Sequence, residues 1–534
     1  MKQSYACGPA QPFLTETIDQ VVRKTADRFP NREAVVSRHQ NRRLTWREFD
    51  AEVERTARGL AGLGLRTQER VGIWSSNCVE WLLLQVACSR ANLVLVNVNP
   101  AYRARDLGYV LRKSEMRALF LREKDARADY REILTQTGTP PEFVVYLDHS
   151  SWDEMLADGR EPMNSPAKST DVINIQYTSG TTGSPKGVLL THHSLVNNAS
   201  LFAELICLGE NDRYLLCLPL YHTAGYGMCA LACYLSGATI VMGSAQFDAL
   251  SVMEAIDQEH VTVVGEVPTM LVAQLDHPEL SRFNFSSVRH AWCGGSPVPV
   301  ELMNRVGSEM GIPELAVVYG QTEASPLITF SSKDDPPELR FGTIGCAMPN
   351  TEIKVISPSG ETVPICQEGE ICTRGYLVMK GYDREPEATA RAIDSEGWLH
   401  TGDLGMMRPD GYFHITGRAK DMIIRGGENI FPREIEDFLM THPRISDVQV
   451  VGLPDAKVGE AVLAWIRLKP GESLTEADVQ GFCDGCIAHF KIPQFIRFVT
   501  EFPMTVSGKV QKFKIREIEI RQRGLKEISE IRTA

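Results

Sequence analysis

Apolar residues recur at three- and four-residue spacing over 15–28 and again over 45–63, the stripe of a helix with one face inward. Short unbroken apolar runs at 70–74 and 93–96 read as buried strands, with 79–88 an apolar helix between them. That rhythm of strand, crossover helix and strand predicts an α/β fold with a parallel or mixed sheet covered on both faces. The polar stretch 161–170 (EPMNSPAKST) breaks the pattern, and a second α/β stretch follows from Val172. Another loop is expected at 331–338, then a part richer in short β segments. Beyond about residue 420 comes a compact unit: a helix opened by Pro432, strands near 448–451 and 461–468, and a helix near 475–488.

One apolar run needs separate treatment. No charged residue occurs from 214 to 247, and about 20 such positions suffice to span a bilayer. The run is interrupted by Pro219, His222, Gly225, Gly227 and Gly237. It therefore divides into a strand (215–220), a loop (221–227), a buried helix (228–236) and a strand (238–242), and no transmembrane segment is predicted. Residues 225–230 formally fit GxGxxA, but no acidic residue stands about 20 positions later, so a dinucleotide site is rejected.

Composition narrows the class. The 534 residues are 43% hydrophobic and 23% charged, as in globular proteins. The net charge of −12 argues against nucleic acid as a partner, since binding it requires many cations to displace counterions. From Asp421 onward 17 acidic and 16 basic residues nearly cancel, so the acidic excess lies earlier. Thirteen cysteines and a start without an apolar segment (MKQSYACGPAQPF) predict free thiols and a cytoplasmic location. Cys483 and Cys486 form a lone CxxC without a second ligand pair, and are expected to share one face of a helix over 475–489.

The most informative segment is 177–187, YTSGTTGSPKG, between apolar runs at 172–176 and 188–190. Its glycines let backbone N–H groups converge, its Ser and Thr hydroxyls add donors, and Lys186 adds a compact positive charge. Such a loop suits a polyphosphate. It is not a P-loop, which needs Gly-Lys before Ser or Thr and then a helix; a plain hairpin is the alternative.

The same segment resembles the phosphate-binding signature of the adenylate-forming superfamily, which includes acyl-CoA synthetases, aryl-CoA ligases, luciferases and peptide-synthetase adenylation domains. Further segments resemble the family's motifs in order: 292–297 (WCGGSP), 319–323 (YGQTE), 398–403 (WLHTGD), 417–421 (GRAKD), 425–430 (RGGENI) and 507–509 (SGK). The resemblance spans roughly 14–517.

It implies a two-step reaction. A carboxylate attacks the α-phosphorus of ATP to give acyl-adenylate and pyrophosphate, and the thiol of coenzyme A then takes the acyl group. The implied assignments follow the motifs. Thr178, Ser179, Gly180, Thr181, Thr182, Gly183 and Lys186 cradle the β- and γ-phosphates. Gly295 and Ser296 flank the adenine, Tyr319 stacks on it, and Gly320 belongs to the same cofactor-binding segment. Thr322 donates to the α-phosphate, Glu323 holds Mg²⁺, and Asp403 with Arg418 takes the ribose. His222 gates an acyl pocket shaped by Ala224, Tyr226 and Trp292. Lys509 reaches the α-phosphate and carboxylate, Lys420 is the hinge, and Gly426 and Gly427 line the tunnel for coenzyme A.

A carboxylate is already ionised at neutral pH, so the first step needs positioning and charge neutralisation rather than a base. Taken singly, each residue has a plainer explanation. Lys509 could be one solvated charge in a basic tail, Glu323 a helix-terminal carboxylate, Asp403 an Asx turn and His222 a core histidine.

The expected organisation is a large N-terminal domain of layered α/β subdomains with a β-rich part (1–417, subdomain break near 161–170), a hinge (418–421) and a small mobile α+β domain (422–534). The apolar segments 224–236 and 325–330 favour a fatty acid of medium chain length as the substrate. An aryl-acid CoA ligase is the runner-up; a maker of acyl-adenylate without coenzyme A and a non-catalytic binding protein are the other readings. A homodimer is left open.

Overall fold

The computed structural model describes residues 2–125, 128–161, 165–178, 185–296, 298–418, 421–425, 428–455, 457–504 and 510–525, the side chains of 428 and 429 excepted. Ser179, Gly180, Thr181, Thr182, Gly183, Lys420, Gly426, Gly427 and Lys509 lie outside the described residues.

The chain divides into two compact units. The larger comprises Ala6–Ile353 and Thr373–His400; the smaller comprises Met1–Tyr5, Lys354–Cys372 and Thr401–Ala534.

Local chemistry starts the helices of the larger unit. Thr17, Thr45 and Thr191 each accept from a backbone N–H three residues on, while Gln20, Glu48 and Ser194 reach back to close capping boxes. The helix Val79–Arg90 is buried from Val79 to Ser89, which is why its sequence is apolar all round. Its last residue, Arg90, is answered by Asp19 at 2.6 Å, Glu54 at 3.0 Å and Asp50.

These helices cover two sheets. The first has seven strands in the order Gly381–Tyr382, Lys186–Thr191, Val172–Thr178, Val94–Asn97, Arg70–Trp74, Ala118–Leu121 and Phe143–Tyr146. Its strands pair in parallel from Val172–Thr178 to Phe143–Tyr146, with antiparallel pairs at the other edge. Strands from both sides of 161–170 thus belong to one sheet. The second has nine strands, in the order Cys346–Ala347, Leu327–Phe330, Glu314–Gly320, His290–Gly294, Val263–Glu266, Arg213–Leu215, Thr239–Met242, Glu33–Ser37 and Arg42–Thr45. Its six inner strands, Glu314–Gly320 through Glu33–Ser37, run parallel.

In the smaller unit, the strand Gly459–Leu468 pairs antiparallel with Ile445–Asp455 and in parallel with Phe495–Phe498. Ile435 and Leu439 of the helix Pro432–Met440 pack with Val448, Val450, Val462 and Ile466 of the sheet. Pro432 stands at the first helical position, as its missing N–H allows.

Three sequence expectations are corrected. The expected loop 221–227 is helical from Ala224: Ala224–Ala230 is a π-helical segment that runs straight into the helix Leu231–Ser236. It is not the strand-to-helix turn a dinucleotide motif requires. The strand expected at 215–220 is only Arg213–Leu215. The helix expected over 475–489 ends at Cys483, where Asp484 turns extended and Gly485 takes a φ of 71°. Cys483 is therefore buried and Cys486 exposed, rather than sharing a helical face; all thirteen cysteines are free. Among the described residues no helix is long and apolar enough to cross a membrane.

Candidate functional site

In parallel α/β sheets, loops at the carboxyl ends of strands carry ligands. Most candidate residues of the larger unit lie there. Thr178 ends one strand; Gly295 and Ser296 follow His290–Gly294; Tyr319 and Gly320 end another, with Thr322 and Glu323 in the turn beyond. His222 follows the strand Arg213–Leu215 at a short distance along the chain.

The strands that flank the phosphate-type segment, Val172–Thr178 and Lys186–Thr191, pair antiparallel. Thr178 and Lys186 are cross-strand partners, as are Tyr177 and Gly187, so the strands fix where Lys186 enters. Lys186 Nζ stands 4.9 Å from the ring centroid of Tyr382, which lies on the edge strand Gly381–Tyr382. The Tyr382 hydroxyl donates to Glu323 Oε1 at 3.0 Å, and the Met379 N–H donates to the Glu323 carbonyl at 2.8 Å. Burial, and secondarily the Glu323 carboxylate, pushes the Tyr382 hydroxyl pKa well up, so it remains a donor. Lys186 and Glu323, 137 positions apart in the chain, thus meet one side chain.

Two positions here require glycine, one for close approach and one for its backbone conformation. Gly320 has no room for a Cβ, which would lie 1.9 Å from the Pro326 carbonyl oxygen, and Gly295 has a φ of 78°.

The acyl-pocket candidates form another group. Ala224 and Tyr226 sit on the π-helical segment, tied to His222 by the Tyr226 N–H donating to the His222 carbonyl at 2.9 Å. His222 is half-buried, with its ring 4.6 Å from that of Tyr221. Trp292 is buried and lies over Gly265, whose Cβ would fall 2.2 Å from the indole. Its N–H donates to the Tyr214 hydroxyl at 2.7 Å, and that hydroxyl donates to Cys229 Sγ at 3.3 Å. A buried relay therefore joins Trp292 to the segment carrying Tyr226.

In the smaller unit, Asp403 and Arg418 are cross-strand partners in the hairpin of Leu399–Met407 and Phe413–Arg418. Arg418 Nε lies 2.8 Å from Asp403 Oδ1; the aspartate is buried and the arginine half-exposed.

Sequence reasoning missed several residues. Tyr382 is one. Others are buried amides that tie the two sheets together: Asn77 Nδ2 donates to the Leu218 carbonyl at 3.0 Å, Asn97 Nδ2 to the Leu220 carbonyl at 3.2 Å, and Thr223 Oγ1 to Gln176 Oε1 at 2.6 Å. These bonds hold the segment before and around His222 against the strand that leads into the phosphate-type loop. Asn97 and Gln176, polar residues inside apolar strands, were the available signal. Glu266, fully buried at the end of Val263–Glu266, accepts from Gln274 Nε2 at 2.5 Å.

Mg²⁺ keeps few protein ligands and several phosphate or water oxygens. Glu323 fits such a site: a half-buried hard-oxygen ligand oriented by one hydroxyl.

Comparison with known proteins shows the family. Residues 22–383 match the family model described as AMP-binding enzyme, and residues 434–509 match the AMP-binding enzyme C-terminal domain. The medium-chain acyl-CoA ligase ACSF2, mitochondrial, of Rattus norvegicus is 40% identical over 549 residues, covering 96% of this chain and 89% of the rat protein. The crystal structure of ATP-bound MatB from Rhodopseudomonas palustris superposes with a TM-score of 0.86 at 28% identity, covering 94% of this chain and 99% of that one. The anthranilate CoA ligase AuaEII, in complex with anthranoyl-AMP, gives a TM-score of 0.86 at 25% identity, covering 95% and 98%.

Proposed function

Because the chain belongs to the AMP-binding enzyme family, with the adenylate-forming acid–thiol ligase chemistry of that family, we propose that it activates a medium-chain fatty acid with ATP and passes the acyl group to coenzyme A. The carrying observation for the acid is the wall beside His222. The π-helical segment Ala224–Ala230 holds no charged side chain and is buried from Gly225 onward, a lining for a hydrocarbon rather than for an amine or a second carboxylate. The 40% identity to a medium-chain acyl-CoA ligase supports the same choice. A ring flanked by Tyr226 and Trp292 is the second reading, favoured by the likeness to an anthranilate CoA ligase.

In this reading the residues divide the work by charge. Thr178, Ser179, Gly180, Thr181, Thr182, Gly183 and Lys186 neutralise the β- and γ-phosphates, and Thr322 donates to the α-phosphate. Glu323 holds the Mg²⁺, which when bound screens phosphate charge. Gly295, Ser296, Tyr319 and Gly320 receive the adenine, and Asp403 with Arg418 the ribose hydroxyls. His222 stands beside the incoming carboxylate, with Ala224, Tyr226 and Trp292 along its chain. Lys509 stabilises charge as the carboxylate oxygen attacks α-phosphorus and pyrophosphate leaves. The thiol step needs a different face of the active site, because adenylation occupies the cleft with pyrophosphate, so the domain 422–534 turns about the hinge at 418–421, with Lys420 in it, and Gly426 and Gly427 admit the pantetheine arm.

The test is pyrophosphate release over C4–C16 fatty acids and aromatic acids, with and without coenzyme A. A maximum among medium chains with thioester formation is expected. An aromatic acid preferred more than about tenfold in kcat/KM overturns the substrate class. Acid-dependent release without thioester overturns the coenzyme A step, and no release with any acid favours a binding protein.

A further inference from the structure

Lys186 and Glu323 carry opposite charges and both meet the side chain of Tyr382. An ammonium and a carboxylate that can reach one another pair directly unless something intervenes. Such a pair would oppose the site's work, because each ion would have to leave the other before meeting phosphate or metal. No ion pair joins the two among the described residues; both meet Tyr382 instead. The ring face gives the ammonium an electrostatic partner without a negative charge, at 4.9 Å. The hydroxyl gives the carboxylate a neutral donor, at 3.0 Å.

The segment around Tyr382 is held on every side. Tyr382 pairs with Val188, two residues from Lys186 on the same strand. Its N–H donates to Thr389 Oγ1 at 2.9 Å. The next residue, Asp383, donates its N–H to the Gly187 carbonyl at 2.7 Å and takes the Arg70 guanidinium in two bonds of 2.7 and 2.8 Å. Three residues before Tyr382, Met379 is bonded to the backbone of Glu323 itself. One short stretch is therefore anchored beside Lys186 at one end and to Glu323 at the other, with the tyrosine between.

We propose that Tyr382 is a positioning residue that holds Lys186 and Glu323 apart, each separately ready for a nucleoside triphosphate and its divalent cation. The inference rests on the assignment of Lys186 to phosphate and Glu323 to metal given above. In this role Tyr382 acts through Lys186 and Glu323.

The experiment measures binding rather than turnover. Mn²⁺ binding to the full-length protein is followed by electron paramagnetic resonance with ATP present, and metal-free ATP binding by calorimetry, without any acid. Tyr382→Phe keeps the ring and loses the hydroxyl. It weakens Mn²⁺ about tenfold, within the range seen for partners of a metal ligand, and leaves metal-free ATP within about twofold. Tyr382→Leu removes both interactions and lets Lys186 and Glu323 pair, so metal-free ATP weakens about tenfold as well. Adding Glu323→Gln to Tyr382→Leu frees Lys186 and restores metal-free ATP binding, a rescue that a loss of local packing would not produce. Unchanged Mn²⁺ binding in Tyr382→Phe, or no rescue in the double variant, overturns the inference alone. A wild-type protein that binds neither ATP nor its Mn²⁺ complex overturns the functional reading and this inference with it.

Discussion

Arg418 and Asp403 face each other across a β-hairpin, guanidinium Nε to carboxylate Oδ1 at 2.8 Å. Asp403 is nearly buried and Arg418 is half-exposed, so the arginine closes the outer side of a carboxylate that the hairpin has already aimed. If Asp403 takes the ribose hydroxyls, the ion pair holds its carboxylate in a fixed orientation. Arg418→Met is expected to raise the KM for ATP severalfold with a smaller change in kcat. Asp403→Ala is expected to cost more than about tenfold in kcat/KM. Because the two act as one unit, the double variant should be little worse than Asp403→Ala. Steady-state kinetics on the four proteins checks this, and additive losses would contradict it.

Trp292 owes its place to the glycine beneath it. A Cβ on Gly265 would lie 2.2–2.4 Å from the indole, which is also bonded to the Tyr214 hydroxyl and packed edge-on against Phe202 at 5.9 Å. Gly265→Ala must push the ring aside and strain the relay through Tyr214 to Cys229. A destabilisation of about 1–3 kcal/mol is expected, as for other overpacked cores. Urea unfolding with tryptophan emission measures it. If Trp292 lines the acyl pocket, the same variant shifts preference toward shorter acids. An unchanged denaturation midpoint would sink the account.

Much of this molecule could be read before its coordinates were known, and the limits have physical causes. Helices such as Ile18–Arg28 and Trp46–Gly62 announce themselves through an amphipathic stripe and a threonine cap, both local properties. The strand Arg70–Trp74 was legible as a continuous apolar run. The segment Ala224–Ala230 was not, because glycine-rich, apolar sequence fits a loop as well as a buried helix, and only packing decides. Gly225 makes the point: a Cβ there would lie 2.4 Å from the Pro219 carbonyl oxygen. Glu323 stood out within its motif, whereas Tyr382 did not. Its role depends on a sheet edge that brings residue 382 beside residue 188, and nothing local encodes that pairing. Gln176 and Thr223 are likewise joined only by the approach of two sheets.

Lys509 separates the two half-reactions. In the proposed scheme it acts on the α-phosphate and the attacking carboxylate, and has no task once acyl-adenylate exists. Lys509→Ala is therefore expected to lose acyl-adenylate formation by about a hundredfold or more while still converting supplied acyl-AMP to thioester at near wild-type rate. Pyrophosphate exchange reads the first step, and thioester formation from synthetic acyl-AMP reads the second. Equal loss of both would remove the basis for a turning domain.

Glu266 gives the fold a pH dependence of its own. Burial pushes its carboxyl up from an ordinary value of 4.5 to about 7, against the opposing hydrogen bonds from Gln274 and Cys217. The folded form then keeps a proton that the unfolded chain releases above about pH 4.5. Between about pH 4.5 and 7 the native state binds the extra proton, so stability falls as pH rises, and above 7 the penalty is constant. At 1.36 kcal/mol per unit, a displacement of this size sets an upper bound of roughly 3 kcal/mol. Glu266→Gln keeps the shape and cannot ionise. Its denaturation midpoint should change less between pH 5 and 8 than that of the wild type, and it should be the more stable protein at pH 8. Urea titrations at the two pH values decide the matter, since a variant that loses as much stability as the wild type would place the pH dependence elsewhere.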